Sequence, residues 1–141
     1  MPEQDNCYVL DTSALIALRA DEPGTALVAD LLHGAGRGDP RCLLCFMSLM
    51  EIFYCVWRVE GELAGETAYQ LCLSLPVEIV HESPELLACA ARMKAENNLS
   101  LADSWIAAAA MLANATLVHK DPEFSSLPLK QEVLPLKSAT R

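Results

Sequence analysis

Short β-like runs alternate with helical segments along nearly all of this 141-residue chain, and that alternation restricts its architecture more than any other feature. CYVL (7–10), CLLCFM (42–47), PVEIV (76–80), ATLVHK (115–120) and EVLPL (132–136) read as strands, being short, apolar or β-branched, and bounded by turn residues. Helices are predicted over 12–19, from Pro23 to about 32, from Ser48 to about 60, and over 62–74, 83–98 and 101–114. HGAGRGDP (33–40) reads as a loop and DPEF (121–124) as a short turn or helix. Strands joined through helices pair in parallel, and a parallel sheet must be covered on both faces. The expected fold class is therefore α/β with a mostly parallel central sheet, formed by one domain over residues 1–141. Ligands of such sheets bind beyond the carboxyl ends of the strands, where the following helices begin.

Composition narrows the functional classes. Apolar residues make up 52% of the chain, enough for a hydrophobic core without disulfide or metal staples. The longest apolar runs fall short of the about 20 residues that span a bilayer, and the acidic opening MPEQDNC lacks the basic and apolar regions of a signal peptide. These features predict a cytoplasmic protein without a membrane partner. Its six cysteines are read as reduced thiols. Cys42 and Cys45, three apart on a strand, face opposite sides and are not expected to share one metal. A net charge of −9 argues against broad electrostatic adhesion to nucleic acid. It leaves room for an acidic site whose cations reverse the local field.

Four acids stand in odd company. Glu51 is the only charged residue between Arg41 and Arg58, and Asp103 the only one between Glu96 and Lys120. A solvated helix face carries charges every three or four residues, which these segments do not. Asp11 ends the first strand and Asp121 follows ATLVHK. Each has an ordinary explanation as a helix cap: Ser48 to Glu51 and Ser100 to Asp103 have capping-box spacing, Asp121 precedes Pro122, and Asp11 precedes Thr12 and Ser13. Asp11, Glu51 and Asp121 nevertheless follow strands, which brings them to one sheet edge. Converging carboxylates repel in a low-dielectric crevice unless some are protonated or cations neutralise them. Carboxylates without a histidine or cysteine cluster suit Mg²⁺ or Mn²⁺.

YVLDTSALIAL (8–18), DEPG (21–24), SLMEIF (48–53), LSLADSWIAAAAMLANATLVHKDPEF (99–124) and the last strand together resemble a PIN domain of the VapC toxin ribonuclease type. The resemblance implies a three-layer α/β/α sandwich and brings Asp103 beside the other acids. It implies that Asp11, Glu51 and Asp103 hold Mg²⁺ or Mn²⁺ directly, with Asp121 completing the catalytic set directly or through water. Thr12 would orient Asp11, and Glu123 is read as a surface residue of its turn. The implied reaction is hydrolysis of RNA phosphodiesters, leaving a 5′-phosphate and a 3′-hydroxyl. The implied partners are an RNA substrate, an antitoxin protein and a second copy of the chain in a homodimer.

Other residues carry weaker expectations. His33, His81 and His119 are expected to be structural or solvent-facing, with His119 and Lys120 near enough to Asp121 to touch a phosphate. Arg19, Arg58, Arg92 and Lys94 are candidates for guiding RNA, although helix-end charges are usually solvated. Tyr54 and Trp57 are available for stacking on bases, but on an almost wholly apolar helix they are expected in the core. A haloacid-dehalogenase-like phosphatase requires a second acid where Ser13 stands, and a receiver domain requires paired acids near strand one. Neither accounts for Glu51 or Asp103. An RNA-processing PIN nuclease and an inert PIN-like binding module remain the alternatives.

Overall fold

A computed structural model describes residues 6–136; the N-terminal residues 1–5, read above for their lack of a leader pattern, lie outside it. The chain runs β1 (Cys7–Leu10), α1 (Thr12–Arg19), α2 (Thr25–Gly36), β2 (Arg41–Cys45), α3 (Phe46–Glu60), α4 (Glu62–Ser74), β3 (Glu78–Val80), α5 (Pro84–Glu96), α6 (Leu101–Ala113), β4 (Thr116–His119), a 3₁₀ turn over Pro122–Phe124, and β5 (Gln131–Val133). The five strands form one sheet in the order β3-β2-β1-β4-β5. Every neighbouring pair is parallel. The α/β expectation holds, and the sheet is wholly parallel.

Strand periodicity divides the core into two halves. Cys7, Val9, Leu43, Cys45 and Leu117 face α5, α6 and the 3₁₀ turn, packing on Leu86, Ile106 and Phe124. Leu10, Cys42, Leu44 and Val118 face the other way, onto α1, α2, α3 and α4. Cys42 and Cys45 thus lie on opposite faces, as their spacing requires. Burial pushes both thiols up to about 11, out of the range of reactive cysteines. The alanines 107–110 are all buried. Their small side chains let α6 sit close to both the sheet and α5.

Two helix starts differ from expectation. Pro23 and Gly24 occupy the middle of a turn closed by the Thr25 N–H on the Glu22 carbonyl at 3.0 Å. Gly24 has φ +97°, the conformation a type II Pro-Gly turn requires. The helix therefore begins at Thr25, and it runs on through the predicted loop to Gly36. Its fellow α3 begins directly after β2, at Phe46 rather than Ser48, with no side-chain cap. Ser48 is consequently not a cap; it lies inside α3 on one stripe with Ile52 and Val56, all three buried.

Tyr54 and Trp57 are not core residues: 37% and 45% of their surfaces stay exposed. They share the outer side of α3 with Met50. Phe53 bridges the two helices, stacked on Tyr69 at 5.3 Å. Among the described residues, no helix is long and apolar enough to cross a membrane.

Candidate active site

The strand order brings three of the acids to one edge of the sheet. The chain progresses from β1 outward to β2 and β3, then returns to place β4 and β5 on the other side of β1. That reversal lies between β1 and β4, where an open α/β sheet leaves a crevice at its carboxyl edge. Asp11 follows β1, Asp121 follows β4 by two residues, and Glu51 stands in the second turn of the helix after β2. Asp103 enters from the first turn of α6. One carboxylate oxygen from each of Asp103, Asp121 and Glu123 falls within a 4.8 Å group.

Asp11 is 3% exposed and caps α1. Its Oδ2 accepts both the Ser13 N–H at 3.1 Å and the Ser13 hydroxyl at 2.5 Å. Oδ1 is buried with no hydrogen-bond partner. A buried unpartnered carboxylate oxygen costs about 1–3 kcal/mol or more; Asp11 caps α1 through Oδ2, and the unpartnered Oδ1 fits the ligand atom of a cation. Burial raises the Asp11 pKa despite the Ser13 hydrogen bonds.

Thr12 does not orient Asp11. Its hydroxyl lies 2.6 Å from Glu51 Oε1 and 3.1 Å from Ser48 Oγ. A single hydroxyl proton goes to the carboxylate, leaving Ser48 to donate in turn. The role expected of Thr12 belongs instead to Ser13, whose hydroxyl also accepts the Lys120 N–H at 3.0 Å. Ser13 therefore ties the end of β4 to the acid at the end of β1. In the sequence Ser13 is marked only by its place two residues after a strand-ending aspartate, which does not tell a support from an ordinary turn hydroxyl.

The capping box at α6 is split between distant residues. Ser100 Oγ accepts the Asp103 N–H at 3.1 Å, as a capping box requires. The reciprocal bond comes from Glu123, whose Oε1 accepts the Ser100 N–H at 3.2 Å from 23 residues away. Asp103 is thereby released from capping, and its carboxyl joins the acidic group. Burial, then crowding by Glu123 and Asp121 and the charges of Asp11 and Asp121, push it up to about 9. Glu51 is raised by burial, against its Thr12 hydrogen bond, and further by the charges of Asp11 and Asp121. Asp121 caps the 3₁₀ turn through the Glu123 N–H at 2.9 Å.

The basic residues near the crevice are engaged internally. Lys120 pairs with Glu22 at 3.2 Å, both largely buried, and the two ring nitrogens of His119 bond to Asp121 N–H and the Gln131 side chain. Neither is available for the phosphate contact expected of them. Arg19 pairs with Glu60 and Arg92 with Glu96, and Lys94 bonds the Leu99 carbonyl.

A family model described as PIN domain matches residues 8–130. No curated protein matches the chain by sequence. Among solved structures, the chain is similar to VapBC2 from Rickettsia felis bound to a DNA fragment from its promoter, at 21% identity and TM-score 0.74, covering 92% of this chain and 99% of that one. It is similar to VapC20 from Mycobacterium tuberculosis, a sarcin–ricin loop cleaving toxin, at 22% identity and TM-score 0.70, with coverages of 91% and 99%. A toxin–antitoxin complex from Klebsiella pneumoniae follows at 19% identity and TM-score 0.64, with coverages of 86% and 92%. At these identities the likeness is one of fold.

Proposed function

The chain belongs to the PIN-domain family, and from that premise we propose that it is a Mg²⁺- or Mn²⁺-dependent endoribonuclease, the VapC-type toxin of a toxin–antitoxin pair. The observation that carries this reading is the buried, unpartnered Oδ1 of Asp11 at a crevice where Asp103, Asp121 and Glu123 crowd together. Asp11, Glu51, Asp103 and Asp121 are the proposed metal-holding and catalytic residues. Their all-carboxylate donor set matches hard divalent cations. The ion, when bound, supplies a more acidic water and charge stabilisation at the scissile phosphate.

The chain's own residues prepare the site. Ser13 fixes Asp11 Oδ2, which leaves Oδ1 as its free ligand atom. Thr12, itself bonded to Ser48 inside the core, holds Glu51. Glu123 takes the α6 capping bond and so leaves Asp103 facing the crevice. The raised affinities of Asp11, Glu51 and Asp103 for protons describe a site that holds protons until a cation displaces them.

Two apolar surfaces support the reading of its protein partners. Between α1 and α4 lies a groove of about 330 Å³ lined by Leu15, Leu18, Ile52, Leu71 and Leu75, with Arg19 at its side. We assign this groove to an antitoxin helix, and the exposed apolar side of α3 that carries Met50, Tyr54 and Trp57 to a second copy in a homodimer. Cytoplasmic action on RNA completes the proposal. The test is cleavage of a mixed RNA pool by purified, antitoxin-free protein: activity that needs Mg²⁺ or Mn²⁺ and stops with EDTA is expected, and metal-independent or absent cleavage would reject the reading.

A further inference from the structure

His119 ends β4 with 1% of its surface exposed, and both ring nitrogens are used inside the protein. Nδ1 accepts the Asp121 N–H at 3.0 Å. A nitrogen that accepts a backbone N–H carries no proton, so the ring proton resides on Nε2. Nε2 lies 2.8 Å from Gln131 Oε1 and donates to it. The Gln131 amide cannot flip, because its Nε2 donates to the Phe124 carbonyl at 2.8 Å and the Leu127 carbonyl at 3.3 Å. The Phe124 ring packs edge-on against the imidazole at 4.9 Å. These bonds form a circuit that starts at the Asp121 backbone, crosses to edge strand β5, and returns to the segment that follows Asp121.

We propose that His119 and Gln131 are positioning residues for Asp121, holding its backbone so that its carboxylate meets Asp103. The inference rests on the metal-site reading of Asp121. The residue type follows from the geometry. The position needs an acceptor for an N–H two residues on and, across a rigid ring, a donor that reaches the next strand. Asparagine or threonine supplies only the first. Asp121 cannot hold itself, since its Oδ1 is occupied by the Glu123 N–H at 2.9 Å. Gln131 touches none of the acids in the crevice, yet it fixes the tautomer of the ring that does the holding, as outer residues commonly do for metal sites.

The test uses the full chain with two readouts. Nitrogen NMR of the imidazole should show His119 of the wild-type protein in the Nε2–H tautomer; the Nδ1–H form would overturn the proposal. Manganese binding, followed by EPR, should weaken about tenfold in Gln131→Leu. It should weaken less in His119→Asn, which keeps an acceptor for Asp121 but loses Gln131. Folded variants that bind Mn²⁺ as tightly as wild type while melting earlier would reduce the circuit to a structural role and overturn the proposal. Should Gln131→Leu not fold, the wild-type tautomer and His119→Asn still decide. Failure of the underlying metal reading has a different signature: wild-type protein itself would bind no Mn²⁺, and the inference would fall with it.

Discussion

At the residue scale, Asp103 ties the stability of the protein to pH, because burial among other acids pushes its carboxyl up to about 9. Asp11, Glu51, Asp103 and Asp121 stand out because charge is scarce around them, and the structure brings Asp103 and Asp121 into one group with Glu123. Ser13, Glu123 and Gln131 gave no such signal, since a hydroxyl or carboxyl in a turn normally serves its own neighbours. Their partners lie up to 107 residues away. Two predictions belong here. Asp103 has its pKa raised from 3.8 to about 9 in the fold. Between those values the folded, metal-free protein binds more protons than the unfolded chain, so stability is greatest at acid pH and falls as pH rises through that window. The raised pKa values of Asp11 and Glu51 act in the same direction. Asp103→Asn should flatten this dependence and raise the Tm at pH 8 in EDTA by roughly 3–8 °C, as calorimetry across pH would show. Glu123→Ala removes the acceptor of the Ser100 N–H and should cost about 0.5–2 kcal/mol in denaturant unfolding. Glu123→Gln keeps the acceptor oxygen and should recover most of that loss.

At the element scale, hydrophobic alternation located every strand and helix, and the misplacements have identifiable causes. Pro23 before Gly24 reads equally as a helix start or a turn, and the left-handed Gly24 decides for the turn. CLLCFM is apolar throughout, so nothing in it marks the switch from strand to helix at Phe46. Apolar content placed Tyr54 and Trp57 in a core that α3 fills with Ser48, Ile52 and Val56 instead. The α3–α4 contact supplies the prediction at this scale. A Cβ at Gly65 would stand 2.6 Å from the Phe53 carbonyl oxygen and 2.9 Å from Trp57 Cβ. Backbone cannot yield as a flexible side chain does, so Gly65→Ala should destabilise the protein by about 1–3 kcal/mol. Urea unfolding of this variant, compared with a surface Gly38→Ala control that meets nothing within 4 Å, separates the clash from backbone entropy; Gly38 has φ +102°, so the control carries its own modest strain.

At the scale of the whole molecule, the order of strands is what composition and motifs left open. Parallel pairing was predictable, but adjacency of Asp11 and Asp121 depends on β4 returning beside β1, which is a property of the complete topology. The apolar side of α3, with Met50, Tyr54 and Trp57 exposed along it, predicts self-association. Light scattering on the purified chain should give a dimer, and paired Met50→Glu and Tyr54→Glu should return it to a monomer without loss of fold. The central claim, that converging carboxylates form a metal site for RNA hydrolysis, is tested most directly by cleavage of diverse RNAs by wild type and Asp103→Asn with Mg²⁺, Mn²⁺ or EDTA. Wild type should give metal-dependent endonucleolytic products, and the variant, still folded, should lose about 100-fold or more of that activity. Equal cleavage by the variant, or no cleavage by folded, metal-loaded wild type, would contradict it.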